Sequence, residues 1–208
     1  MDASALPSDL PIIQAPMAGG PSTPALTAAV SRAGAFGFLA AGYLTPEQLR
    51  ASITRTRELT GAPFGVNVFC PGEPSDPALA RTYADLIRPE AERLGVPLGE
   101  PRWEDDAFGD KLEIVAAEHV SMVSFTFGRP DPGVVEELHS AGCSVTVTVT
   151  SSAEARVAEE GGADPLAVQG TEAGGHQASF LDRAPNVRPL TMLLEDVRAS
   201  TAVPRSTT

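Results

Sequence analysis

Short apolar runs alternate with amphipathic stretches along most of this chain. Residues 11–17 (PIIQAPM) read as a buried strand. Thr23-Pro24 then offers a helix N-cap and a first-turn proline, and the helix that follows stops at Gly34. Residues 36–42 (FGFLAAG) are a second strand, and Thr45-Pro46-Glu47 opens a second helix that ends near Gly61. Residues 64–69 (FGVNVF) are a third strand. The rhythm then breaks for a helical insert at about 71–119. It carries predicted helices over 77–94 and 105–118, with Pro89 expected to kink or break the first. Strands return at 121–128, 144–150 and 165–170. Helices are predicted after Asp131-Pro132, over about 152–160, and over about 189–199.

Six β/α units with apolar strands predict a parallel sheet wrapped by helices. An open doubly wound sheet and a (β/α)₈ barrel both fit that pattern. The unusual polar and glycine residues follow strand C-termini, at Met17, Asn67, Gly128 and Gln169 to His176. Both folds build sites there, but a barrel gathers all of these ends around one mouth, so the barrel is the expected fold. It is an incomplete one, with about six of eight units in a single domain over 1–208.

Composition narrows the function classes. A net charge of −12 argues against a nucleic-acid partner, whose phosphates call for a basic face. No apolar run approaches the roughly 20 residues of a membrane span. The N-terminus has neither the basic start nor the apolar core of a signal peptide, so a soluble cytoplasmic protein is expected. The two cysteines, Cys70 and Cys143, match no metal or disulfide spacing and are expected to be reduced thiols. Lysine occurs once, at Lys111, against fourteen arginines, which reads as codon bias without functional meaning.

The chemistry-bearing residues each carry two readings. In VQGTEAGGH (168–176), Gln169 offers an amide donor and a carbonyl acceptor at a strand end. Gly174 and Gly175 permit positive φ and close approach of a flat ligand, and the His176 imidazole is a residue type that can take or give a proton. A glycine-rich turn with a surface histidine fits the same residues. Glu172 is either a partner of the site or solvated. Asn67 sits inside an apolar strand, where its amide is either satisfied within the core or faces a ligand. The QAPMAGG loop (14–20) has no dinucleotide or P-loop spacing. It is either an ordinary turn or a backbone surface along a planar ring. His119 and His139 fit helix C-termini. No metal cluster, nucleophile elbow or catalytic triad is evident.

Taken together, QAPMAGG (14–20), AGAFGFLAAGY (33–43), GVNVF (65–69), VSFTFG (123–128) and VQGTEAGGH (168–176) resemble the nitronate monooxygenases, also called 2-nitropropane dioxygenases. The resemblance runs over about residues 10–203. It implies an FMN-binding TIM barrel. Met17, Asn67, Gln169, Gly174 and Gly175 would be flavin contacts and His176 the catalytic base. The implied reaction oxidises an alkyl nitronate, or a nitroalkane after loss of its α-proton, with O₂ to a carbonyl compound and nitrite. Thr126 stands where some relatives carry a histidine. The resemblance also expects a seventh and an eighth unit that hold the FMN phosphate. Here AVP (202–204) begins a strand and polar RSTT follows, so the chain reads as truncated and its own activity as open. Two alternatives accompany this reading: another FMN barrel, such as an enoyl-thioester reductase, and a non-catalytic remnant. The insert is expected over the mouth, with Tyr43, Tyr83, Trp103 and Phe125 as aromatic candidates.

Overall fold

The computed structural model describes residues 7–181 and 187–202, together with the backbone of 205 and 206. The elements run α1 (Pro24–Arg32), β1 (Gly37–Ala40), α2 (Pro46–Leu59), β2 (Phe64–Phe69), α3 (Pro77–Leu94), α4 (Phe108–Ala117) and β3 (Met122–Thr126). They continue as α5 (Pro132–Ser140), β4 (Ser144–Val149), α6 (Ser152–Glu160), β5 (Leu166–Val168), α7 (Leu190–Ser200) and β6 (Arg205–Ser206). All strand pairs are parallel, and the sheet order is β1-β2-β3-β4-β5-β6. Strict sequential order with an intervening helix at each step is that of a TIM-type (β/α)₈ barrel. The described strands form an incomplete circle of it.

Alternation along the strands assigns the two faces. Leu39, Val66, Val68, Val123, Phe125, Val145, Val147, Val149, Leu166 and Val168 point outward. They pack on Leu49 and Ile53 of α2, Ile114 and Val115 of α4, Val135 and Leu138 of α5, Ala155 and Ala158 of α6, and Leu193 and Val197 of α7. This is the main core. The inner face differs. Its lower end is plugged by Phe36, Phe38 and Met122 with Ile13, while the same face turns polar toward the strand C-termini.

The helix starts follow their sequence signals. Thr23 Oγ1 accepts from Leu26 N–H at 3.2 Å, and Thr45 with Gln48 completes a capping box on α2. Three elements depart from expectation. Residues 11–17 form no strand, only a bridge of Ile13 with Phe36, because Pro11 and Pro16 remove the backbone donors on either side. Pro89 does not break α3, which runs over Pro77–Leu94 with no buried residue, so water can satisfy the carbonyl that Pro89 leaves unpaired. At the other end the strand falls on polar residues, with Arg205–Ser206 paired to Leu166 and Ala167, where a strand beginning at AVP is expected; Val203 and Pro204 lie outside the described residues. Among the described residues no helix is long and apolar enough to cross a membrane.

Candidate active site

The inner face of β2, β3 and β4 carries a layer of amides and hydroxyls. Asn67 lies level with Ser124, and Ser124 with Thr146, across three neighbouring strands. Asn67 is 2 % exposed. Its Nδ2 donates to Ser124 Oγ at 2.9 Å, Thr126 Oγ1 at 2.9 Å and Ser124 O at 3.2 Å. The buried amide is therefore held through its nitrogen by the neighbouring strand. Thr126, the departure from the histidine of some relatives, is one of the groups that orient it.

The loop after β5 is fastened at both ends. Gln169 Oε1 accepts from Ala178 N–H at 2.7 Å, and its Nε2 donates to His176 O at 3.2 Å. The glutamine thus spans the loop that it begins, and it fixes where His176 stands. Farther on, Glu154 Oε1 accepts from Phe180 N–H at 2.9 Å, while its Oε2 takes Thr150 N–H at 2.6 Å. Thr150 and Ser179 hydroxyls meet at 3.0 Å. Within the loop, Gly175 has φ +83°, a conformation that only glycine enters without strain, and both Gly174 and Gly175 face open space. Glu172 is engaged elsewhere. Its two oxygens accept from Leu190 N–H at 2.9 and 3.0 Å, which caps α7. That hydrogen bond lowers the pKa of the Glu172 carboxyl.

His176 meets the β3 side through rings. Phe127 lies edge-on to its imidazole with centroids 6.3 Å apart, and Phe69 lies edge-on to Phe127 at 4.9 Å. Tyr43 is edge-on to Phe69 at 5.7 Å. His176, Phe127 and Tyr43 sit after β5, β3 and β1, and Phe69 ends β2, so all four rings lie at the C-terminal rim. Met17 stands after the Ile13 bridge. Its N–H donates to Ser22 Oγ at 2.8 Å, and Gln14 ties the same loop to β1 by accepting from Phe38 N–H at 3.1 Å. Gly19 and Gly20 in this loop have φ +80° and +129°.

The fold thus brings Asn67, Gln169 and His176 to one rim, through the Thr126 and Phe127 end of β3. The other candidates sort as follows. Phe125 is fully buried on the outer face against Phe108 and takes no part in the mouth. Trp103 donates to Gly72 O at 3.1 Å inside the insert, and Tyr83 is exposed on α3. His119 contacts Ala141 O at 2.8 Å, and His139 contacts Asp164 Oδ2 at 2.9 Å. Both are structural. Burial pushes the Cys70 thiol up to about 12, which removes it as a nucleophile, and Cys143 is buried with its Sγ 3.8 Å from Val115 O. The alternation that places Asn67 inward places Phe69 on the same face, and the pair Ser151…Glu154 has capping-box spacing; those signals mark two residues that sequence reasoning passed over. Among the described residues no group of His, Cys, Asp and Glu could hold a metal.

The family model of nitronate monooxygenase matches residues 4–205. A "Probable nitronate monooxygenase" of Bacillus subtilis is 42% identical over 82% of this chain and 49% of its own length. The "Nitronate monooxygenase" of Pseudomonas aeruginosa is 41% identical over 82% of this chain and 50% of its own. Among solved structures, nitroalkane oxidase from Streptomyces ansochromogenes superposes with TM-score 0.90 and 43% identity, over 95% of this chain and 58% of that one. FabK from Thermotoga maritima superposes with TM-score 0.69 and 26% identity, over 95% of this chain and 50% of that one. The chain spans about half the length of the curated relatives it matches.

Proposed function

The chain belongs to the nitronate monooxygenase family, and from that premise we propose that it binds FMN at the C-terminal rim and oxidises alkyl nitronates, with nitroalkanes as slower substrates. The observation that carries this reading is one arrangement. A buried amide held through its nitrogen, Asn67, stands on the inner face toward the same rim as a clasped glycine loop that presents an exposed imidazole, His176.

The residues present suit a flavin. The edge of an isoalloxazine ring alternates donors and acceptors, and the Asn67 Oδ1 and the inner hydroxyls supply complementary groups. Gly174 and Gly175 leave open space where side chains would crowd a flat ring. Gln169 has one amide hydrogen and one lone pair beyond its two loop bonds, so it can serve the ring while holding the loop. Met17, at the first βα turn, would lie along the ring. When bound, FMN supplies the electron transfer between the nitronate and O₂. In the overall reaction two nitronates and one O₂ give two carbonyl compounds and two nitrites.

The part played by His176 is proton removal. A nitroalkane must lose its α-proton before it can be oxidised, and an imidazole nitrogen can accept that proton. Gln169 fixes the backbone of His176, and Phe127 packs against its ring edge, so the base is positioned from two sides. A substrate supplied as the nitronate has already lost the proton. His176→Ala is therefore expected to reduce nitroalkane turnover far more than nitronate turnover, read as nitrite release. Equal losses on both substrates would remove His176 from the proton step. Nitrite release without consumption of NADH separates this reaction from enoyl-thioester reduction.

A further inference from the structure

Glu154 is the third residue of α6, where a glutamate after a serine cap ordinarily reaches back to the N–H of the cap. Ser151 does cap the helix, its Oγ accepting from Glu154 N–H at 3.2 Å. The Glu154 carboxylate is spent elsewhere. Its Oε2 accepts from Thr150 N–H at 2.6 Å and from Thr150 Oγ1 at 2.9 Å. Its Oε1 accepts from Phe180 N–H at 2.9 Å, 26 residues along the chain. Both oxygens face donors, so the position calls for a group that accepts at both ends. A carboxylate does so and an amide does not. The Thr150 hydroxyl gives its hydrogen to Glu154, so the Ser179 hydroxyl donates to Thr150 at 3.0 Å.

These bonds act on the segment that follows the histidine. Residues 171–176 are exposed. Ala178 and Ser179 are then buried, and Phe180 packs against the main core. This stretch is neither helix nor strand. Its N–H groups at Ala178 and Phe180 are taken by the side chains of Gln169, after β5, and Glu154, after β4. Two side chains thus replace the ladder of a neighbouring strand, and they strap 178–180 across the ends of β4 and β5. His176 stands two residues before the strap.

We propose that Glu154 is a positioning residue for the proton step, that it sets where His176 stands by holding this strap, and that the role needs a carboxylate at glutamate length. The inference rests on the nitronate reading above, which supplies the step. Glu154 acts through the backbone of 178–180 and not on the reacting atoms. Releasing Phe180 N–H leaves only Gln169 and the Ser179 hydroxyl, of the side-chain bonds described, to hold the strap.

The test compares the FMN-supplemented parent protein with Glu154→Asp and Glu154→Gln. Aspartate withdraws the carboxylate by one C–C bond, about 1.5 Å, so it serves Thr150 and loses Phe180. Glutamine sets an NH₂ against one of the two donor groups. Amide exchange at Phe180 is expected to rise about 5- to 150-fold in both variants, the range for a donor left unpaired, and the His176 imidazole NMR signal is expected to broaden. Turnover is read as nitrite release from nitroethane and from its nitronate. In Glu154→Asp, kcat for nitroethane is expected to fall about 10- to 100-fold, the cost of a base displaced by about 1 Å, with KM, flavin retention and nitronate turnover little changed. If Glu154→Gln does not fold, Glu154→Asp carries the test, because its α6 cap and its bonds to Thr150 remain. Phe180 exchange equal to that of the parent in Glu154→Asp overturns the strap. Raised exchange with equal losses on nitroethane and its nitronate, or with no loss on either, overturns the positioning role. A parent protein that releases no nitrite from any nitronate refutes the assigned reaction instead, while raised Phe180 exchange and a broadened His176 signal in Glu154→Asp still support the hold on the histidine.

Discussion

Removing the Gln169 side-chain amide should loosen one loop and little else. In Gln169→Leu the Ala178 N–H, on a residue only 1% exposed, loses its 2.7 Å acceptor. An unpaired buried donor costs about 1–3 kcal/mol, and the exposed bond to His176 O adds about 0.5–1.5 kcal/mol. The loop-closed state is thus weakened by roughly 2–4 kcal/mol, with the cost confined to 170–178 because the outer core is untouched. At the low end this raises the open population about 30-fold. Amide hydrogen exchange at Ala178 measures it directly, since local opening sets the exchange rate. Gln169→Glu keeps the acceptor and loses the donor, so its effect should be the smaller one. Exchange at Ala178 within twofold of the parent in Gln169→Leu, at unchanged global stability, would refute the clasp.

Two further outcomes follow from packing and ionisation. Gly37→Ala would place a Cβ 2.4 Å from Thr27 O, which is backbone and cannot swing aside. Overpacking of about 1–3 kcal/mol should lower the melting temperature by roughly 2–12 °C, and an unchanged value by calorimetry would contradict the contact. Burial holds the folded Cys70 thiol protonated up to about 12, whereas its ordinary value is 9.0. Above pH 9 the unfolded chain therefore ionises first, and stability falls as pH rises through that window toward 12. Denaturant titrations across it should show a shallower fall in Cys70→Ala, with Cys143 contributing the remainder in the same direction; an identical fall would contradict the burial of Cys70.

Much of the fold is legible because period-2 and period-3.6 patterns answer local questions. FGVNVF at 64–69 and the helix at 77–94 fall where alternation, proline and capping residues put them. The segment 11–17 fails for a local reason, since two prolines outweigh its apolar content. The site is legible in its polar members. A buried Asn67 and a glutamine before paired glycines stand out against their surroundings. Its supports are less so. Lys111 reads as a compositional accident until tertiary contact sets it beside Asp106, and Phe127 reads as a strand residue until its positive φ turns it toward His176. Glu172, which the sequence leaves as either a site partner or a solvated carboxylate, instead accepts from the first N–H of a helix that begins eighteen residues later, a contact no local pattern encodes.

The central claim is that the rim from Asn67 to His176 holds a flavin. The most direct measurement is an absorbance spectrum of the purified protein, mixed with FMN and then desalted, before and after anaerobic addition of an alkyl nitronate. The account predicts retained flavin bands that bleach on addition of the nitronate and return with air, and weaker retention in Asn67→Leu. Protein that elutes without flavin, or bound flavin that the nitronate leaves unbleached, would contradict it.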